Sequence, residues 1–163
     1  MDVKQMHHIA YRCTDAGATA EFYEKLLDLK LAHVIVQDRV PSTQQFDPHC
    51  HLFFELADQS YLAFFDIATE TEVDQQRNPD WAQHIAMELG SIDELEAAMT
   101  RLQAAEIDIV GPTDHGFIRS IYFYDPSGHR LELTCRTDTP GDLDKYRAMA
   151  HETLDRWTAS KTA

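Results

Sequence analysis

Three side chains of this chain have the right types to bind a divalent metal ion: His8, His84 and Glu132. The sequence His-Ile-Ala occurs at residues 8–10 and again at residues 84–86, so the two histidines hold equivalent places in a repeated pattern. Two imidazoles and one carboxylate form a ligand set that leaves coordination positions open for chemistry, whereas a structural metal site is closed. The sequence therefore predicts a catalytic metal site at His8, His84 and Glu132.

A second group of candidates lies between residues 113 and 135. Two alternating segments flank the turn Asp125-Pro126-Ser127-Gly128, which predicts a β-hairpin. Glu132 falls in the middle of the second strand with a leucine on either side, where an unpaired charge is costly to bury. A metal ion is one good reason for a carboxylate there. Tyr122 lies within the first strand, and His115 stands at its head.

Each of these residues also has a structural interpretation. A single strand histidine is more often a satisfied core or pocket residue than a metal ligand, and Glu132 alone could face solvent. His115 could be a polar residue at a strand entrance, and Tyr122 a half-buried aromatic. The repeat favours the functional interpretation, because two equivalent histidines and a late carboxylate are a poor coincidence.

The elements that must position these residues also repeat. Alternating and helical patterns predict strand, helix and three strands in residues 4–67, and the same order in residues 82–136. Residues 68–81 are polar and acidic and form the predicted linker, and residues 40–48 form a loop. Within the second half, Ser91 caps a helix, and a strand over residues 107–110 ends at Gly111-Pro112. Residues 141–161 form a C-terminal helix, whose apolar stripe must cover the open sheet edge or a second subunit.

Composition limits the classes of function. With 163 residues, 44% of them hydrophobic, the chain is long enough for one domain with a real core. The formal net charge of −14 argues against binding to nucleic acid or to an anionic membrane. No apolar run is long enough for a membrane span, and the N-terminus does not resemble a signal peptide. Cys13, Cys50 and Cys135 are scattered and odd in number, which favours reduced thiols and a cytoplasmic location.

The repeat, the two His-Ile-Ala strands and the ending Gly-His-Arg-Leu-Glu-Leu at residues 128–133 resemble the vicinal-oxygen-chelate superfamily. This family includes glyoxalase I, methylmalonyl-CoA epimerase, fosfomycin-resistance thiol transferases and type I extradiol dioxygenases. The resemblance implies an α+β fold in which two βαβββ modules form an open, eight-stranded cupped barrel, with the C-terminal helix added. It places the family's metal ligands on His8, His84 and Glu132. The fourth ligand of glyoxalase-like members is missing, with Phe64 as the nearest match.

A narrower resemblance concerns the extradiol dioxygenases. Their signature is matched, in order and spacing, at His115, Ile121, Tyr122, Asp125, Pro126, Gly128 and Glu132. It implies that His115 is the acid–base residue and that Tyr122 hydrogen-bonds the substrate oxygen. The implied cofactor is Fe(II), or alternatively Mn(II), with dioxygen as co-substrate.

The predicted function is therefore ring cleavage of a small catecholic aromatic by dioxygen. Phe64, His51 and His129 are the weaker candidates for substrate binding. A metal-dependent thiol transferase or lyase of the same superfamily is the first alternative, and a non-enzymatic protein that binds an aromatic ligand is the second. A homodimer is expected. Whether one chain or two build each site is left open by the sequence.

Overall fold

The computed structural model describes residues 6–68 and 82–160, with side chains as far as residue 153. The first half contains β1 (His8–Cys13), α1 (Ala16–Leu27), β2 (Lys30–Arg39), β3 (Phe46–Glu55) and β4 (Tyr61–Ile67). The second contains β5 (Ile85–Leu89), α2 (Ile92–Ala104), β6 (Val110–Asp114), β7 (Ile118–Tyr124) and β8 (Arg130–Arg136), and α3 (Asp142–Ser160) follows. The predicted α+β fold of two βαβββ modules and a C-terminal helix is confirmed. The predicted linker lies outside the described residues apart from Ala68.

The eight strands are divided equally between two sheets with the same topology. Their orders are β1-β4-β3-β2 and β5-β8-β7-β6. The pairs β1–β4 and β5–β8 are parallel, and the other pairs are antiparallel. Each module therefore begins with a strand at the edge of its own sheet, and these edge strands carry or directly follow the repeated histidines.

Two predicted boundaries were wrong. The sequence pattern ended a strand at Gly111-Pro112, but β6 begins at Val110 and includes both residues. Proline has no N–H to donate, yet β6 is an edge strand whose register with β7 shifts between Val110 and Thr113, so that donor is not required. Similarly, β3 begins at Phe46, inside the predicted loop 40–48.

Both module helices begin at side-chain caps. Asp15 accepts a hydrogen bond from the N–H of Ala18, and Ser91 accepts one from the N–H of Glu94. Glu94 in turn accepts from the N–H of Gly90, close to the reciprocal pattern predicted at this helix start. These caps satisfy amide groups that have no partner inside the helix.

One hydrophobic core joins the two modules. Buried residues of both sheets and both helices form a single cluster, in which the Phe22 and Phe123 rings lie 6.4 Å apart. The Tyr23 hydroxyl donates to Asp125 across the module boundary at 3.0 Å, and Arg101 of α2 pairs with Asp28 after α1. The helix-covered faces of the two sheets share this core. We call the opposite faces the open face of module one and the open face of module two.

Helix α3 leaves its apolar residues exposed. In its described part, Leu143, Tyr146 and Met149 are each at least 41% accessible, and the rings of Phe117 and Tyr146 lie 5.9 Å apart. The sequence predicted that the apolar stripe of α3 covers either the open sheet edge or a second subunit. Its exposure favours contact with a second subunit, which stays a proposal. None of the three helices, as far as the chain is described, has the length and apolar character needed to cross a membrane.

Candidate metal centre

Two of the three predicted metal ligands meet on the open face of module two. Ala86 of β5 pairs with Glu132 of β8, and His84 immediately precedes β5 on the same face. The His84 Nε2 and Glu132 Oε2 atoms lie 2.9 Å apart. A parallel strand pair thus places an imidazole and a carboxylate next to each other, as the sequence predicted.

The environment of Glu132 fits a cation. The residue is only 3% exposed, and its Oε1 atom is buried without a hydrogen-bond partner in the described residues. A buried acceptor without a partner costs about 1–3 kcal/mol, and more when it is charged. A divalent ion held by His84 Nε2 and Glu132 would satisfy this oxygen, so the two residues are suited to part of a metal site.

His115 and Tyr122 lie beside this pair. Tyr122 of β7 is opposite Glu132 in the antiparallel ladder, and its ring meets that of His84 edge-on at 5.8 Å. The His115 Nε2 and Tyr122 Oη atoms are 2.8 Å apart, and the direction of this hydrogen bond depends on the histidine tautomer. Burial and then the Glu132 carboxylate raise the pKa of Tyr122. The hydroxyl is therefore protonated near neutral pH and can donate a hydrogen bond.

A tight connection between β6 and β7 holds His115 in place. The N–H of His115 donates to the carbonyl of Ile118 at 2.9 Å, and Asp114 Oδ1 accepts from the N–H of Gly116 at 2.7 Å. Gly116 has φ of 86°, a conformation that suits glycine. The chain therefore turns sharply after His115 and directs the imidazole toward Tyr122.

The remaining polar position of the signature is structural. Asp125 Oδ1 accepts from the N–H groups of Ser127 and His129, while Oδ2 accepts from the Tyr23 hydroxyl of the other module. The N–H of Thr14 also donates to Ser127 Oγ at 3.1 Å. The turn at residues 125–128 therefore fixes the two modules against each other and presents no polar group to the candidate site.

The third predicted ligand, His8, lies elsewhere in the chain. It is exposed on β1, its Nδ1 atom is 2.8 Å from Nδ1 of His7, and its ring approaches Phe53 at 5.8 Å. Within the described residues, no three His, Cys, Asp or Glu side chains converge closely enough to hold a metal ion. His8 belongs to the open face of module one, whereas His84 and Glu132 belong to the open face of module two, and the core shared by the sheets lies on neither of these faces.

The open face of module one is aromatic. His51 stacks on Phe65 of the neighbouring strand with ring centroids 3.6 Å apart. The ring of Phe53, two residues along the same strand, lies 4.1 Å from that of His51. The His51 ring is 6.3 Å from that of His8, so this predicted substrate residue shares a face with the predicted ligand. Burial, followed by the charges of neighbouring histidines, lowers the pKa of His51 to about 4. Its imidazole is neutral at physiological pH, and its Nε2 atom is buried without a partner in the described residues.

Phe64 faces the core and not the open face of module one. It is fully buried in the core against Tyr23, at a centroid distance of 4.9 Å, because strand alternation directs Phe65 and not Phe64 to the open face. The register also corrects the position of the missing fourth ligand. In module two Ala86 pairs with Glu132, and in module one the equivalent Ala10 pairs with Ala63.

His129 is likewise structural. It is 6% exposed, one ring nitrogen bonds to the backbone carbonyl of Arg12, and its ring packs against Tyr11 at 5.1 Å and Phe64 at 5.7 Å. It belongs to the joint between the modules. Sequence reasoning missed Arg130, whose guanidinium carbon lies 4.6 Å from the centroid of the Tyr122 ring. Its two-residue spacing from Glu132 is the signal that could have identified it.

Comparison with solved structures shows the same fold in several proteins. The fosfomycin resistance protein FosX from Listeria monocytogenes, complexed with Mn(II) and sulfate, is 20% identical over 87% of this chain and 98% of that one, with a TM-score of 0.60. A glyoxalase/dioxygenase from Nostoc punctiforme is 26% identical over 83% and 92% of the two chains, also with a TM-score of 0.60. A lactoylglutathione lyase from Agrobacterium tumefaciens is 20% identical over 83% and 96%, with a TM-score of 0.58.

A family model covers most of the chain. Residues 5–133 match the model of the Glyoxalase/Bleomycin resistance protein/Dioxygenase superfamily. The matched segment contains both modules and all three predicted ligands, and it ends before α3. The chain therefore belongs to the Glyoxalase/Bleomycin resistance protein/Dioxygenase superfamily, the vicinal-oxygen-chelate proteins.

Proposed function

We propose that this protein is a metal-dependent enzyme that opens the ring of a small catecholic aromatic with dioxygen, in the manner of the extradiol dioxygenases. The observation that carries the proposal is the 2.8 Å hydrogen bond between His115 Nε2 and Tyr122 Oη, next to the pair formed by His84 and Glu132. Metal binding would explain His84 and Glu132 but not His115 and Tyr122. Ring opening also requires groups that can move protons next to the metal, and His115 and Tyr122 can do so.

His84, Glu132 and a second histidine would hold Fe(II), with Mn(II) as the alternative. When bound, the ion would supply a Lewis acid with open positions, at which the two oxygens of an aromatic diol and dioxygen come together. The Tyr122 hydroxyl would donate a hydrogen bond to a diol oxygen and orient the ring. The His115 imidazole would take the proton that leaves the diol and later return it. Glu132 is itself only 3% exposed, so little water reaches its carboxylate.

We further propose that the second histidine is His8 of a second copy of the chain. Strand β1 lies at the edge of one sheet and β5 at the edge of the other, so among the described strands each has a hydrogen-bonding edge that a second chain could pair. Such pairing would bring the open face of module one over that of module two in another copy. The exposed stripe of α3 supplies additional apolar area for the same homodimer.

The described cysteines are all free thiols, in keeping with the reducing cytoplasm.

A second candidate is a thiol transfer or lyase reaction that consumes no dioxygen. It is favoured by the likeness to the Listeria fosfomycin resistance protein and to the Agrobacterium lactoylglutathione lyase, both of which share the fold. The same two histidines and carboxylate would serve it. It gives no role to the His115–Tyr122 couple, and for this reason we place it second.

The test is direct measurement of oxygen consumption. The protein is loaded anaerobically with Fe(II) or Mn(II), mixed with a panel of catechols, and then exposed to oxygen in an electrode cell. We expect one dioxygen consumed per catechol and a yellow ring-opened product. The matched control is the Tyr122→Phe variant, which should bind the metal normally and turn over slowly.

Two outcomes would contradict the proposal. Metal binding without oxygen uptake across the panel, together with thiol-dependent loss of an electrophilic substrate, would favour the transfer reaction. Failure to bind either metal at any protein concentration would favour a non-enzymatic protein that binds an aromatic ligand. Metal analysis of the purified protein separates these cases before any substrate is tried.

A further inference from the structure

Arg130 is a cation beside the candidate site that forms no ion pair within the described residues. It lies two residues before Glu132 on the same side of β8, and its guanidinium carbon is 4.6 Å from the centroid of the Tyr122 ring. Its Nε atom is buried and has no hydrogen-bond partner in the described part of the chain. No described carboxylate forms an ion pair with it. A buried donor left unpaired costs about 1–3 kcal/mol, so this guanidinium is suited to a group that arrives with a ligand.

Other arginines of the second half behave differently. Arg101 pairs with Asp28, Arg136 with Asp138 at 2.7 Å and Arg147 with Asp144 at 2.8 Å. The pairs of Arg101 and Arg147 are exposed and contribute little energy, whereas Arg136 binds Asp138 through two hydrogen bonds. In a chain with a net charge of −14, acidic partners are abundant, and yet Arg130 faces an aromatic ring instead. Its environment therefore differs from that of an ordinary surface arginine.

The chemistry of such a group is specific. A guanidinium presents a planar fork of donors that binds a carboxylate through two parallel hydrogen bonds. The Tyr122 ring limits the freedom of the guanidinium and excludes water from one side of it, which strengthens its attraction for an anion. The position of Arg130 also suits this role. The guanidinium is stacked on the Tyr122 ring, so a substituent of a ligand bound at Tyr122 Oη would lie within its reach.

We propose that Arg130 binds a carboxylate substituent of the substrate, so that the preferred substrate is an acidic aromatic diol. The diol part of this inference rests on the proposed ring opening, whereas the anion site does not. Phosphonate has the same bidentate chemistry and is separated from carboxylate by the probes. Arg130 would set specificity and orientation and would leave the bond-breaking step to the metal centre and His115.

The experiment measures binding by calorimetry under anaerobic conditions with the Mn(II)-loaded protein. The probes are protocatechuate, its neutral methyl analogue, benzoate and phenylphosphonate. We expect wild-type protein to bind protocatechuate at least about tenfold more tightly than the methyl analogue, the order of a charge-assisted pair. Arg130→Gln should abolish this difference. Arg130→Lys should keep part of it, because it retains the charge and loses the fork.

The matched control is Arg119→Gln. Arg119 belongs to the same sheet but to its helix-covered face, near Asp114 at 3.9 Å, so this variant changes the net charge equally and should keep the full preference. Equal binding of the acidic and neutral catechols by the wild type would overturn the inference. So would an equal loss for both probes in Arg130→Gln and Arg130→Lys, because that result means Arg130 only supports the Tyr122 ring. A stronger loss for phenylphosphonate than for benzoate would overturn the carboxylate assignment.

The outcomes also separate this inference from the proposed function. Arg130-dependent preference for protocatechuate without oxygen uptake would leave the anion site standing and remove the ring opening. Oxygen uptake with the neutral and acidic catechols alike, unaffected by Arg130→Gln, would do the reverse.

Discussion

The two modules repeat one topology and carry different chemistry. In module two, the alanine of the His-Ile-Ala repeat, Ala86, pairs with Glu132. In module one, the equivalent Ala10 pairs with Ala63. Module two also has Tyr122, His115 and Arg130 on or beside its open face. Module one has His8, with His51 and two phenylalanines around it. One half thus contributes a carboxylate and proton-handling groups, and the other an imidazole and an aromatic wall.

This difference indicates how a duplicated fold becomes a single site. Retaining both carboxylates would place two anions near one divalent ion, as in a four-ligand centre. Ala63 is uncharged and fully buried, so module one presents no second carboxylate there, and aromatic side chains form its open face instead. The asymmetry between Glu132 and Ala63 is therefore the feature that the following variants are designed to test.

The largest expected effect is that of Glu132→Gln. Removal of a residue that only supports a metal ligand lowers the affinity for metal by roughly 10–100-fold, and loss of the ligand Glu132 should lower it further. Oxygen uptake should fall to background. Because the variant removes a buried charge, the metal-free protein should be no less stable than the wild type. Metal content and thermal unfolding measure both effects. Glu96→Gln, on the exposed side of α2, is the control, and unchanged metal content in Glu132→Gln would remove the carboxylate from the site.

The second prediction tests whether the two modules meet between copies. His8→Ala and Glu132→Gln should each be inactive alone. If each site takes His8 from one copy and Glu132 from the other, refolding an equimolar mixture should recover about a quarter of wild-type activity, since half of the dimers are mixed and one of their two sites is intact. Activity that stays at background in the mixture, with mixed dimers present, would show that both residues act within one chain.

A smaller effect is expected from His115→Ala. Loss of a positioned acid–base residue typically slows a reaction by about 10²–10⁴-fold, while metal binding should stay at the wild-type level because His115 is not a ligand. Single-turnover oxygen consumption and metal content distinguish the two effects. His151→Ala, on the exposed surface of α3, serves as control. A parallel loss of metal in His115→Ala would place this histidine in the coordination sphere.

The smallest effect concerns the joint between the modules. Burial and the Asp125 carboxylate raise the pKa of Tyr23 well above its ordinary value, so the hydroxyl stays protonated and donates to Asp125. Tyr23→Phe removes this bond and should lower the free energy of unfolding by about 1–3 kcal/mol. Denaturant titration measures it. Tyr146→Phe, whose ring is half exposed, should change it by less than about 0.5 kcal/mol. Equal changes in the two variants would mean that the bond contributes nothing.

Much of this architecture could be predicted from the sequence because the signals are local. Alternation, the cap at Ser91 and the repeated His-Ile-Ala predicted the two modules and the neighbouring placement of His84 and Glu132. The resemblance to the extradiol signature selected His115 and Tyr122 as candidates, and the structure places their side chains at hydrogen-bond distance.

The errors arose where the outcome depends on which face of a strand is covered. Phe64 and His129 are aromatic residues near the expected pocket, and only the position of the helices determines that Phe64 faces the core. The separation of His8 from Glu132 has the same origin. It depends on how the two modules pack, through contacts such as Tyr23 with Asp125 that lie far apart in sequence and have no local pattern.

The exposed position of His8 on an edge strand has a thermodynamic consequence. If a second copy provides this ligand, metal binding and association of the chains are linked equilibria, and each stabilises the other. Specific activity would then fall on dilution and rise again with excess metal, and a chelator would shift the protein toward monomers. The metal would then take part in the reaction and also stabilise the active dimer.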